Sequence, residues 1–186
     1  MIRWLAPLAL LPLLAHAGCT TVASTAYGAA TEERTVAEQA SDEKIQLAVR
    51  KRISDALDTK SAVSIDVFSH LGQVVIAGAV PPDSPIRQQA PTLARGVEGV
   101  KKVDTFWVPA QPSKTDDFEI GAKFKAKVVG DGDLKISQVD YTVLAGQVVI
   151  TGVVNSQAKV DAFVKHARSI DGVKGVRTFI IVRKAP

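Results

Sequence analysis

The sequence has little of what builds covalent or metal-held frameworks. It carries one cysteine, Cys19, in 186 residues, so an intramolecular disulfide is impossible and no structural zinc set exists. The three histidines, His16, His70 and His166, are scattered and match no ligand spacing. No nucleophile–base–acid set occurs. Gly130-Asp131-Gly132-Asp133 lacks the lysine and the strand–helix context of a phosphate-cradling loop. Aromatics make up 5% of the chain, and the basic residues do not cluster with stacking aromatics, which argues against nucleic acid. These absences point away from catalysis, and no cofactor or metal is expected.

What is present is a globular composition, 46% hydrophobic and 23% charged, with a mild net charge of +4. The charge is uneven. Residues 42–109 carry 9 Lys+Arg against 8 Asp+Glu, whereas residues 114–186 carry 12 against 8. A surface that seeks an anionic partner therefore belongs to the C-terminal half.

The chain opens MIRWLAPLALLPLLAHAGC: one charge at Arg3, an apolar run from Trp4 to Ala15, then small residues. This is the pattern of an export signal (residues 1–18), too short and too interrupted by Pro7 and Pro12 to span a bilayer. Ala15-His16-Ala17 fits ordinary cleavage before Gly18. Ala17-Gly18-Cys19 resembles a bacterial lipobox, departing from it at His16, where leucine is usual. The only cysteine stands directly after the small pair, and a free thiol is unwelcome in an oxidising compartment. The cysteine's placement favours lipidation at Cys19, with soluble export as the alternative. Residues 19–40 are small and polar and read as a tether.

Beyond the tether the chain repeats itself. GQVVIAG (Gly72–Gly78) returns as GQVVITG (Gly146–Gly152), differing only at Ala77 and Thr151. The similarity extends outward: SIDVFSH aligns with QVDYTVL, GVKKV with GVKGV, and DEKIQLAVRKRI with DFEIGAKFKAKV. Two modules follow, 41–110 and 114–184.

Each module reads as helix, strand, strand, helix, strand. Ile45, Val49 and Ile53 recur at helical spacing, with Ser41 or Asp42 as the expected N-cap. Ile65/Val67 and Val139/Tyr141/Val143 alternate as half-buried strands do, and Val74–Ile76 and Val148–Ile150 are continuous apolar runs suited to a central strand. Gly72 and Gly146 suit the hairpin turn. Pro91 inside the second helix of the first module implies a kink or a late start. Asp66 faces away from Ile65 and Val67, and Phe106 and Trp107 point to opposite faces. The expected class is α+β: two αββαβ units, each a three-stranded mixed sheet with both helices on one face. The other face needs a cover, either the sister module or a partner.

The duplicated unit, with its Gly-x-Val-Val-x-x-Gly strand and Gly-Val-x-x-Val ending, resembles the BON domain. Two copies behind a lipobox resemble the dual-BON outer-membrane lipoproteins of Gram-negative bacteria. That resemblance implies a lipid anchor on the periplasmic face of the outer membrane, a role in envelope integrity, and contacts with assembly or division proteins. It also implies anionic phospholipid binding through the first helix of the second module, with an aromatic near its start.

The residues of that helix fit such a role. Taking Ile120, Phe124 and Val128 as the inward stripe, Lys125 lies about 140° round, Phe118 about 160° and Ala122 about 200°. Lys123 and Lys127 flank the buried stripe, where their stems can lie on apolar surface and present ammonium groups outward. The candidate phospholipid-binding residues are therefore Phe118, Ala122, Lys123, Lys125 and Lys127. The bland alternative is that Phe118 packs on its own domain and the lysines form an ordinary solvated face.

Overall fold

In the computed structural model, which describes residues 33–57, 65–109 and 115–183, the first helix begins earlier than the sequence suggested. Helix α1 spans Val36–Ala56. Thr35 is its N-cap, accepting from the Glu38 amide, while Glu38 Oε2 accepts from the Thr35 amide at 2.8 Å. This reciprocal capping box satisfies two orphan donors at once. Ser41 and Asp42, the expected caps, lie inside the helix. The export signal, Cys19 and most of the tether lie outside the described residues.

Asp42 has another task. It is buried, and its carboxylate accepts from the Leu71 and Gly72 amides at 2.8 and 3.0 Å and from Ser69 Oγ at 3.2 Å. Arg34 Nη1 reaches it at 3.1 Å. Asp117, its counterpart in the second module, accepts from the Ala145 and Gly146 amides at 2.8 and 2.7 Å. Leu71 and Gly72 sit at φ 52° and 81°, Ala145 and Gly146 at 55° and 80°. Two successive positive φ values define the tight type I′ reversal that matches strand twist. An aspartate from the preceding helix thus holds each turn by its amides. That hold offsets the cost of a non-glycine residue in the left-handed region.

Strand β1 (Ile65–His70) pairs antiparallel with β2 (Gln73–Ala79), and β2 pairs parallel with β3 (Lys102–Val108) after helix α2 (Ile86–Arg95). The second module repeats this: α3 (Thr115–Val129), a short 3-10 turn (Ile136–Gln138), β4 (Val139–Leu144), β5 (Gln147–Val154), α4 (Gln157–Arg168) and β6 (Gly175–Val182). Its register is the same, β4 antiparallel and β6 parallel to the central β5. Helix α2 contains Pro91 and does start late. It opens eight residues after Gly78, whereas α4 opens five after Gly152 and is capped by Ser156.

Each sheet has its helices on one face. Val74 and Ile76 join Ile45, Val49, Ile53, Ile86 and Ala90 in the first core. Val148, Ile150 and Val154 join Ile120, Phe124, Val128, Val160 and Phe163 in the second. Phe124 meets Tyr141 edge-to-face at 5.0 Å between centroids. The alternate residues Val75, Ala77, Val149, Thr151 and Val153 belong to neither core yet are buried. The two sheets cover each other, β1 against β5 and β2 against β4. Swapping β1 for β4 and β2 for β5 exchanges these two contacts, so the modules pack about an approximate twofold.

The repeated heptapeptide is the central strand of each sheet. Its strand has both faces covered, one by its own helices and one by the sister sheet, so every position but the ends must be apolar or small. Polar contacts fix the pairing at the rim. Thr142 Oγ1 donates to Asp66 Oδ2 at 2.8 Å, and Asp140 Oδ2 lies 3.2 Å from the buried His70 Nε2. Trp107 packs into the first core, while Phe106 is half-buried on the opposite face.

Candidate functional site

Helix α3 divides cleanly. Ile120, Phe124 and Val128 are buried, and Gly121 lies flush against the Tyr141 ring. On the far side Phe118 is 81% exposed and Val129 63% exposed, with Ala122, Lys125 and Ala126 exposed between them. Phe118 does not pack into its own core. Val129 was missing from the sequence-based set, although the same rotation places it about 180° from Ile120. The stripe Phe118–Ala122–Lys125–Val129 runs about 16 Å along the helix, eleven residues at 1.5 Å each.

The charges around it are unequal in availability. Lys123 Nζ bonds Glu119 at 2.6 Å, one helical turn back. That contact holds the Glu119 carboxyl below its usual range and raises the Lys123 ammonium, in each case first through the hydrogen bond and then through charge. Lys123 is therefore partly spent within the helix. Lys125 and Lys127 make no ion pair among the described residues. Of the first-turn acids, Asp117 is committed to the β4–β5 turn and Glu119 to Lys123, whereas Asp116 is exposed and makes no ion pair among the described residues.

Beside the helix start lies a cleft of about 370 Å³ lined by Asp116, Asp117, Glu119, Lys123, Asp171 and Lys174, among others. Its mixed charge and four carboxylates make a poor phosphate cradle. His166, on the neighbouring helix α4, is half-buried with Nε2 2.7 Å from Asp131 Oδ2. This contact lowers the Asp131 carboxyl below its ordinary value, and it ties α4 to the loop after α3. Among the described residues no group of three or more His, Cys, Asp or Glu could hold a metal, and no helix is long and apolar enough to cross a membrane.

Tandem αββαβ modules closed sheet to sheet define a class of two-module α+β scaffold. The BON domain family matches residues 41–106 and 116–184. The chain is 32% identical over 153 residues to the outer membrane lipoprotein DolP of Haemophilus influenzae, covering 79% of this chain and 77% of that protein. It belongs to the dual-BON outer-membrane lipoprotein family, a family of the cell envelope. Two solved structures of CdsD, a structural protein of the type III secretion system of Chlamydia trachomatis, are 18% identical with TM-scores of 0.33 and 0.32. The first match covers 77% of this chain and 64% of that one, the second 76% and 67%. A likeness this distant carries no functional information.

Proposed function

We propose that this protein is a non-catalytic envelope lipoprotein that docks on anionic phospholipid through α3 of its second module. Acylation at Cys19 would hold it to the periplasmic face of the outer membrane, where it supports envelope integrity. The observation that carries the reading is Phe118: a large aromatic, 81% exposed, heading an exposed stripe with Ala122, Lys125 and Val129 on the side of its helix away from Ile120 and Phe124. An aromatic entering the acyl boundary removes on the order of 150 Å² or more from water, and each nearby lysine adds about 1 kcal/mol against an anionic surface.

The competing reading, a protein-interaction module for outer-membrane assembly or division, needs a free face. The sheet faces best suited to it are covered by module-on-module packing, which favours the lipid reading. Pelleting with phosphatidylglycerol-containing vesicles tests it. Binding should be absent with phosphatidylcholine alone, weaken at high salt, and be lost on Phe118→Ala with Lys125→Gln and Lys127→Gln. Failure of the unaltered protein to pellet would favour a protein partner instead. Intact mass of the mature chain separates the acylated form from soluble export, because acyl chains on Cys19 add a large increment.

A further inference from the structure

Helix α3 does not face outward alone. Helix α4 lies beside it on the same face of the same sheet, so the outward sides of both helices look in one direction. On α4 the buried residues are Val160, Phe163 and Ala167. From Phe163, Asp161 lies about 160° round, Lys165 about 200° and Arg168 about 140°. All three are exposed, and with the half-buried Val164 and the exposed Ser169 they line a shallow hollow. Asp161 is engaged by Gln157 Nε2 at 3.0 Å. Lys165 and Arg168 make no ion pair among the described residues.

The first module shows that the fold itself does not require this pair. The same outward positions of α2 are Gln88, Thr92 and Arg95, all exposed. At the position of Lys165 the first module has an uncharged threonine. The added cation sits only where α3 carries the aromatic stripe.

We propose that Lys165 and Arg168 form a second contact point for the phosphates of anionic lipid headgroups, beside the α3 stripe. The inference rests on the lipid-docking reading and widens it from one helix to a two-helix footprint. Arg168 can take a phosphate through two donors, Lys165 as a point charge, and both lie in the layer that Phe118 would bring to the headgroups.

Vesicles of phosphatidylglycerol in phosphatidylcholine provide the probe, with the mature full chain and its variants compared at fixed salt. Lys165→Gln with Arg168→Gln should weaken binding about tenfold and flatten its salt dependence. Lys165→Arg with Arg168→Lys should retain most of it. A charge-matched control in the first module's helix layer, Lys44→Gln with Arg95→Gln, should change binding less than about twofold. Far-UV circular dichroism checks that each variant is folded. If Phe118→Ala abolishes binding while the α4 pair has no effect, the second contact is wrong and the α3 reading stands. Equal losses from the α4 pair and the control would reduce the effect to net charge and overturn the proposal. If no protein binds these vesicles, the lipid reading itself fails.

Discussion

Thr142 Oγ1 of the second module donates a hydrogen bond to Asp66 Oδ2 of the first across the stacked sheets, at 2.8 Å. The approximate twofold would place Phe68 and Asp140 in the matching position, and those two cannot make the same bond. The contact is therefore one-sided. Two modules with a nearly identical central strand recognise each other, rather than copies of themselves, partly through such unmatched pairs. A double-mutant cycle with Asp66→Ala and Thr142→Val should show a coupling of about 1 kcal/mol in urea unfolding. Additive single effects would remove the pair from any role in fixing the interface.

The aspartates that grip the two hairpin turns should matter more than any surface charge. Asp117→Ala strips two amides of their acceptor beside a residue at positive φ and should cost about 2–3 kcal/mol. Asp42→Ala should cost at least as much, since it also removes the carboxylate that accepts from Ser69 Oγ and Arg34 Nη1. Conversely, Ala145→Asn suits the left-handed conformation and should raise stability by about 1 kcal/mol, read as a higher urea midpoint at unchanged slope.

Acid should loosen the junction between α1 and the second module. Arg183 Nη1 bonds both oxygens of Glu38 at 2.8–2.9 Å. That bond, with the Thr35 amide next, lowers the Glu38 carboxyl from 4.5 to about 2. Because the folded value lies below the unfolded one, the contribution is complete above about pH 4.5 and fades as the pH falls toward 2. Unfolding measured across that window should be less acid-sensitive in Arg183→Ala than in the parent. Identical profiles would show the pair to be silent.

Phe118→Ala and Val129→Ala should leave stability within about 0.5 kcal/mol, because neither side chain is packed. The same substitutions should reduce vesicle pelleting. A stability loss comparable to that of a core residue would mean that Phe118 serves its own fold.

Much of this architecture was legible in the sequence, and the exceptions have physical causes. The repeat supplied the element order, the central strands and the inward side of α3, since period and duplication are one-dimensional signals. The start of α1 was also written there, as Thr35-x-x-Glu38, but was hidden by the small, polar residues around it. Val129 required only one more step of the helical rotation. The left-handed residues Leu71 and Ala145 were not legible, because neither is a type that seeks positive φ and the aspartate holding each lies some thirty residues upstream. Nor was the pairing of Asp66 with Thr142, which exists only once two sheets are stacked.

Stacking the sheets back to back also sets a polarity. The α1/α2 layer and the α3/α4 layer look away from each other, so a flat leaflet can touch only one at a time. In the proposed docking of the second module on lipid, Leu47, 59% exposed on the outward side of α1, would be held on the side away from the headgroups. It would then point into the aqueous space, so the first module's helix layer would be open only from the side away from the leaflet.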